Sequence, residues 1–182
     1  MRAANELSNI RNLVWVGLIA AFIAVGALVT IPFGPVPITL QTMFVLLSGL
    51  LLRNRYGVMA VLLYLAAGCI GFPVFSGGRS GIVTLWSPTG GYLISYILVA
   101  YITSLKSRFS GKNLFIPVFL LCLAGIAVNL SIGTLALSFS LDYPLSKAWM
   151  VGAVPFIIGD SLKAFAATAI YIYMRKYSLL PR

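Results

Sequence analysis

Residues 155–167 read PFIIGDSLKAFAA: an aspartate, Asp160, stands three residues before a lysine, Lys163, inside an otherwise apolar run. At that spacing the two share one helix face and can pair along it. With a helix start near Gly152, a rise of about 1.5 Å per residue sets Asp160 roughly 12 Å and Lys163 roughly 16 Å deep in a bilayer. Each charge there costs about 2.5–3.5 kcal/mol on the insertion scale, so the pair must face a bundle interior or a wet cavity. The stretch decides two things together: helices in lipid, and a polar place among them.

The rest of the chain agrees with a lipid solvent. Of its 182 residues, 60% are hydrophobic and 9% charged, which excludes an ordinary soluble domain. Spans are predicted at 13–31, 39–52, 56–71, 89–105, 114–139 and 152–174. The expected fold is an all-α membrane protein, a six-transmembrane-helix bundle forming one domain over 1–182. The first run is longer than the apolar core of a signal peptide and has no clear cleavage site, so it reads as a retained span. The second and third spans are short, which implies local bilayer thinning or backbone buried in protein.

The formal charge of +10 sits in short clusters between apolar runs, a pattern for phospholipid head groups and not for nucleic acid. Alternating the connections puts Arg2, Arg11, Arg53, Arg55, Lys106, Arg108, Lys112, Arg175, Lys176 and Arg182 on one side, and Arg79 and Lys147 on the other. The positive-inside rule then places both termini in the cytoplasm. The outward loops, IPFGPVPITLQT (31–42) and GFPVFSGGRSGIVTLWSPTGGY (71–92), are rich in Gly and Pro, a composition that lets shaped backbone approach a small ligand.

Two readings of Asp160 and Lys163 stand side by side: a structural ion pair that fixes the sixth span, or an acceptor and donor for a ligand carrying both N–H groups and a carbonyl or carboxylate. Arg79, between glycines, can clamp an anion or bind head groups. Gln41 opens the second span, and Thr89 and Tyr92 the fourth, each as a ligand contact or as a cap or packing residue. Asn129, Ser131 and Thr134 fit interhelical hydrogen bonding. Trp86, Trp149 and Tyr143 fall at the outer interface as belt anchors or as a cover for an apolar ring. Small residues at Gly17, Ala20, Ala21, Ala24 and Ala27 stripe the first span, for packing within the chain or for docking to another membrane subunit through Ala20 and Ala24. Cys69 and Cys122 show no CxxC spacing and the chain has no histidine, so neither a zinc site nor a disulfide framework is expected. Phosphate-loop, HExxH and GxSxG motifs are absent from the sequence; no enzymatic reaction, metal or cofactor is expected.

Four strings in fixed order, PFGPVPITLQTMFVLLSGLLL (32–52), GFPVFSGGRSG (71–81), SPTGGYL (87–93) and PFIIGDSLKA (155–164), together with the six-span topology, resemble BioY, the biotin-specific substrate-binding subunit of energy-coupling-factor vitamin transporters. The resemblance covers nearly the whole chain. It implies a biotin binder open to the outside of a prokaryotic cell membrane, docked on a transmembrane coupling subunit that carries two cytoplasmic ATPases. It also implies that Ala20 and Ala24 form the docking face, and that Asp160, Lys163 and Arg79 make the polar contacts to biotin. Asp160 would accept from the ureido N–H groups, Lys163 donate to the ureido carbonyl, and Arg79 attract the valerate carboxylate, with the last two roles exchangeable. Some family members carry an amide in place of Arg79, and some an arginine in place of Leu93. The competing expectations are a subunit for another small vitamin and a structural membrane protein whose charged pair only locks helix packing.

Overall fold

The computed structural model describes residues 2–52, 55–108 and 113–180, the side chains of 2–8, 107 and 108 excepted. Among these residues the chain forms seven α-helices and one two-stranded hairpin: α1 (Arg2–Leu28), β1 (Thr30–Ile31), β2 (Ile38–Thr39), α2 (Gln41–Leu51), α3 (Arg55–Cys69), α4 (Gly90–Ser104), α5 (Phe115–Ser140), α6 (Leu145–Gly152) and α7 (Val154–Lys176). Two 3₁₀ turns, Ser76–Gly78 and Ile82–Trp86, lie between α3 and α4. Among the described residues three stretches are long and apolar enough to cross a membrane, Asn9–Leu28, Phe115–Ser140 and Val154–Lys176, and α2, α3 and α4 are shorter apolar helices.

Solvent preference is inverted along the long helices. Only 33% of each long span's most apolar window is buried, while Leu18, Phe22 and Val25 of α1 and Ile158, Leu162 and Phe165 of α7 point outward. In water such continuous apolar surface marks an interaction site; here it is the lipid-facing side of a helical membrane protein.

The short α2 is the middle of the bundle. At about 1.5 Å per residue it spans only roughly 16 Å, yet nine of its eleven residues are buried and it packs on α1, α3, α4 and α7. A helix apolar on every side belongs inside, and one surrounded by protein need not cross the whole bilayer. Close approach at its end requires Gly49, where an added Cβ would collide with Thr103 and the Ala100 carbonyl of α4.

The sixth predicted span differs from expectation at its start. Ala153, with φ −120° and ψ −55°, interrupts the helix and separates the short α6 from α7. The cause is local: Pro155 has no N–H for the Val151 carbonyl, and its ring would clash with that carbonyl in a continuous helix. The hairpin after α1 was also not foreseen; it pairs Thr30 with Thr39 and Ile31 with Ile38.

Candidate ligand site

The α1–α2 hairpin, the long α3–α4 connection and the α5–α6–α7 turns gather at one end of the bundle. A cleft opens there. Its cavity volume is about 40 Å³, widening to about 530 Å³ when the mouth and the crevices between side chains are included, so the walls stand close together.

The floor comes from α7, where Lys163 Nζ donates to Asp160 Oδ1 at 2.8 Å. The two side chains are 11% and 4% exposed, and both line the cleft. The pair is therefore not sealed between helices. Asp160 keeps a second carboxylate oxygen, and Lys163 two further N–H donors, for a partner in the cleft.

Arg79 stands at the mouth, delivered by a tight turn. Gly77 and Gly78 adopt φ of 73° and 71°, left-handed values that glycine takes without strain, and Phe75 and Arg79 pair across them, with Phe75 N–H donating to the Arg79 carbonyl at 3.0 Å. The guanidinium donates through Nε to the Ser76 carbonyl at 3.1 Å and through Nη2 to Thr89 Oγ1 at 3.3 Å. Thr89 also meets Ser87 Oγ at 3.0 Å, which orients the hydroxyl beneath the arginine.

On the other walls, Gln41 donates to the Tyr64 hydroxyl and its Oε1 accepts from Thr39 Oγ1 at 3.3 Å. Tyr92 donates to the Gly152 carbonyl at 2.7 Å and ties α4 to the end of α6. Asn129 of α5 donates to the Tyr92 carbonyl at 3.1 Å and to Ser95 Oγ at 2.6 Å. Apolar surface is supplied by Val36, Phe75, Leu130 and Phe156. Among the described residues no buried side-chain N or O lacks a partner. A ligand must therefore exchange with existing bonds or use the spare capacity of the charged groups.

All six side chains singled out in the sequence as ligand contacts, Gln41, Arg79, Thr89, Tyr92, Asp160 and Lys163, line this one cleft. Trp86, Trp149 and Tyr143 line no part of it, and Trp86 is 83% exposed, as a belt residue is. Asn129 and Thr134 make the interhelical bonds expected of them, but Asn129 also reaches the cleft. Tyr96, Thr39 and Thr42 were missed; Tyr96 is one helical turn after Tyr92 on the same face, a signal that was available. On α1, Ala20 is buried in this chain's own packing at 7%, whereas Ala24 remains half-buried.

Apolar helices facing outward around a cleft that holds an acid–amine pair, a guanidinium and amides define a membrane protein built to hold a small polar solute. The chain belongs to the BioY family, whose model matches residues 1–179. It is 38% identical over 166 residues to a biotin transporter BioY of Thermotoga maritima, covering 91% of this chain and 96% of the relative. A biotin transporter BioY2 of Lactococcus lactis is 39% identical over 161 residues, 88% of each chain. The fold is also that of a crystal structure described as the S-component for biotin from an ECF-type ABC transporter, with a TM-score of 0.87, 31% identity, and 96% and 97% of the two chains covered.

Proposed function

We propose that this chain, over 1–182, is the biotin-binding substrate subunit of an energy-coupling-factor uptake transporter, and not an enzyme. The observation that carries the reading is the meeting of the Asp160–Lys163 pair with Arg79 in one cleft that opens at a bundle end. Biotin has a ureido head with two N–H donors and a carbonyl, an apolar thioether ring and an anionic tail. Asp160 accepts from the ureido N–H groups, Lys163 donates to the ureido carbonyl, the ring lies among Phe75, Leu130 and Phe156, and Arg79 at the mouth takes the carboxylate. Thr89 positions Arg79 by accepting from its Nη2, and Gln41 and Tyr92 line the same cleft as further ligand contacts. The names of the relatives and of the structural neighbour support biotin as the solute.

In this reading six helical spans cross a prokaryotic cell membrane, the cleft faces outward and both termini are cytoplasmic. A transmembrane coupling subunit with two cytoplasmic ATPases supplies the energy. Because Ala20 is occupied by packing within the chain, docking through α1 runs along the half-buried Ala24 and its exposed neighbour Ala21.

Thermal denaturation of the purified protein with and without biotin tests the assignment. A ligand at about 1,000 times its Kd stabilises the folded state by about 4 kcal/mol, so micromolar biotin is expected to raise the midpoint by several degrees and Asp160→Asn to abolish the rise. An unmoved midpoint for the unsubstituted protein overturns the proposal. A larger rise with a different vitamin reassigns the substrate.

A further inference from the structure

At the bundle end opposite the cleft, a second cavity of about 530 Å³ lies between the start of α5 and the end of α7. Its wall is divided by chemistry: Asn113, Arg175 and Lys176 are polar, whereas Leu114, Phe115, Ile116 and Ile172 are apolar. The two cations sit in the last turn of α7, where a favourable interaction with the helix dipole accounts for basic residues by itself. It does not account for a cavity beside them, nor for the absence of a counter-charge at them among the described residues. The chain has three acidic residues; Asp160 is paired in the cleft and Asp142 lies in the α5–α6 turn, both remote from this end, and the side chain of Glu6 lies outside the described residues. Among the described residues no salt bridge engages Arg175 or Lys176, and both are exposed.

The apolar side continues toward the bilayer centre. Phe115 packs against Phe119 at 6.2 Å and Phe165 at 5.3 Å between ring centroids, so a ridge of aromatic rings descends from the cavity along α5 and α7. Cations at the level of the head groups, above apolar walls that run down into the hydrocarbon, match a molecule that is anionic at one end and aliphatic at the other. The first turn of α5 carries no acidic side chain and no side-chain cap, so its amides add to the positive potential.

We propose that this groove is a binding site for an anionic phospholipid, with the phosphate held by Arg175 and Lys176 and an acyl chain along Phe115, Ile116 and Ile172. The site is independent of the biotin cleft.

Native mass spectrometry of the full chain in detergent, titrated with dioleoyl-phosphatidylglycerol, tests it. Phosphatidylglycerol is expected to be retained in preference to dioleoyl-phosphatidylcholine, which has the same tails and no net charge. Two cations near a membrane surface contribute about 1 kcal/mol each, so the Arg175→Gln/Lys176→Gln variant should bind phosphatidylglycerol roughly thirtyfold more weakly, at a factor of ten per 1.4 kcal/mol. Lys147→Gln, at the cleft end, should leave retention unchanged. Equal retention of the two lipids, or equal retention by the double variant and the unsubstituted protein, overturns the proposal. Displacement of the lipid by inorganic phosphate at equimolar concentration also overturns it, since the site would then recognise an ion and not a lipid. Unchanged biotin binding by the double variant establishes that it is folded.

Discussion

Arg79 uses two of its guanidinium donors on neutral oxygens, the Ser76 carbonyl and the Thr89 hydroxyl, and its position at the cleft mouth leaves the rest for an anion. Lys163 differs in kind, because its charge is already neutralised by Asp160 at 2.8 Å. An incoming carboxylate near the pair would meet the repulsion of Asp160, whereas at the mouth it meets an uncompensated cation. This asymmetry is the reason the proposed binding mode gives the tail of biotin to Arg79 and the uncharged ureido head to the pair. A hydrogen bond to a charged group contributes about 1.5–3 kcal/mol, so Arg79→Ala should weaken biotin roughly 10- to 150-fold. The same change should leave the affinity for biotin amide, which has no tail charge, within about twofold. Calorimetric titration of both ligands decides the matter, and equal losses would remove Arg79 from carboxylate recognition.

At the scale of elements, α2 presents a problem that α4 solves. A helix that ends inside protein leaves carbonyls without partners, and the carbonyls of Gly49 and Leu52 at its C-terminal end accept from the ammonium of Lys106, the latter at 2.6 Å. Lys106 lies in the 3₁₀ turn Leu105–Arg108 just past α4 and is 9% exposed. Burial pushes its pKa down from 10.5 to about 7. Between those values the unfolded chain holds the proton and the folded one releases it, so stability rises with pH across that interval; below pH 7 both states are charged and the slope vanishes. Thermal midpoints should therefore climb from about pH 7 to about pH 9, below the onset of tyrosine ionisation, and Lys106→Met should flatten the climb. A wild-type profile that is level or falling over this range would contradict the linkage. The helices themselves were legible in the sequence because lipid demands long apolar runs: the predicted span 89–105 became Gly90–Ser104, and 114–139 became Phe115–Ser140. Asp160, Lys163 and Arg79 were legible because charge is conspicuous against such a background. Asn129 and Phe156 were not legible as cleft residues, since a residue facing a cleft and one facing a neighbouring helix have the same chemistry, whereas Tyr96 was within reach through its one-turn spacing from Tyr92. The hairpin and α6 escaped because each is short, and the apolar run across Ala153 is broken only by the backbone effect of Pro155.

The whole molecule is polarised along its axis. One end carries the cleft, the Gly- and Pro-rich connections and the cations Arg79 and Lys147; the other carries Arg11, Arg55, Lys106, Arg175 and Lys176. The side chains of Arg2 and Arg108, and residues Arg53, Lys112 and Arg182, belong by sequence to the same basic connections but lie outside the described residues. Basic residues next to span ends are retained on the cytoplasmic side, so under the proposed function the cleft is expected to face the exterior, where a scarce solute has to be captured before it is moved. This orientation can be read in intact cells with a membrane-impermeant maleimide, after Cys69 and Cys122 are replaced by alanine. Ser80→Cys, exposed at the cleft end, should label without permeabilisation, and Ser178→Cys, exposed just beyond α7, only after it. The reverse pattern would put the cleft in the cytoplasm, and a subunit that collects its ligand from outside could not be built that way round.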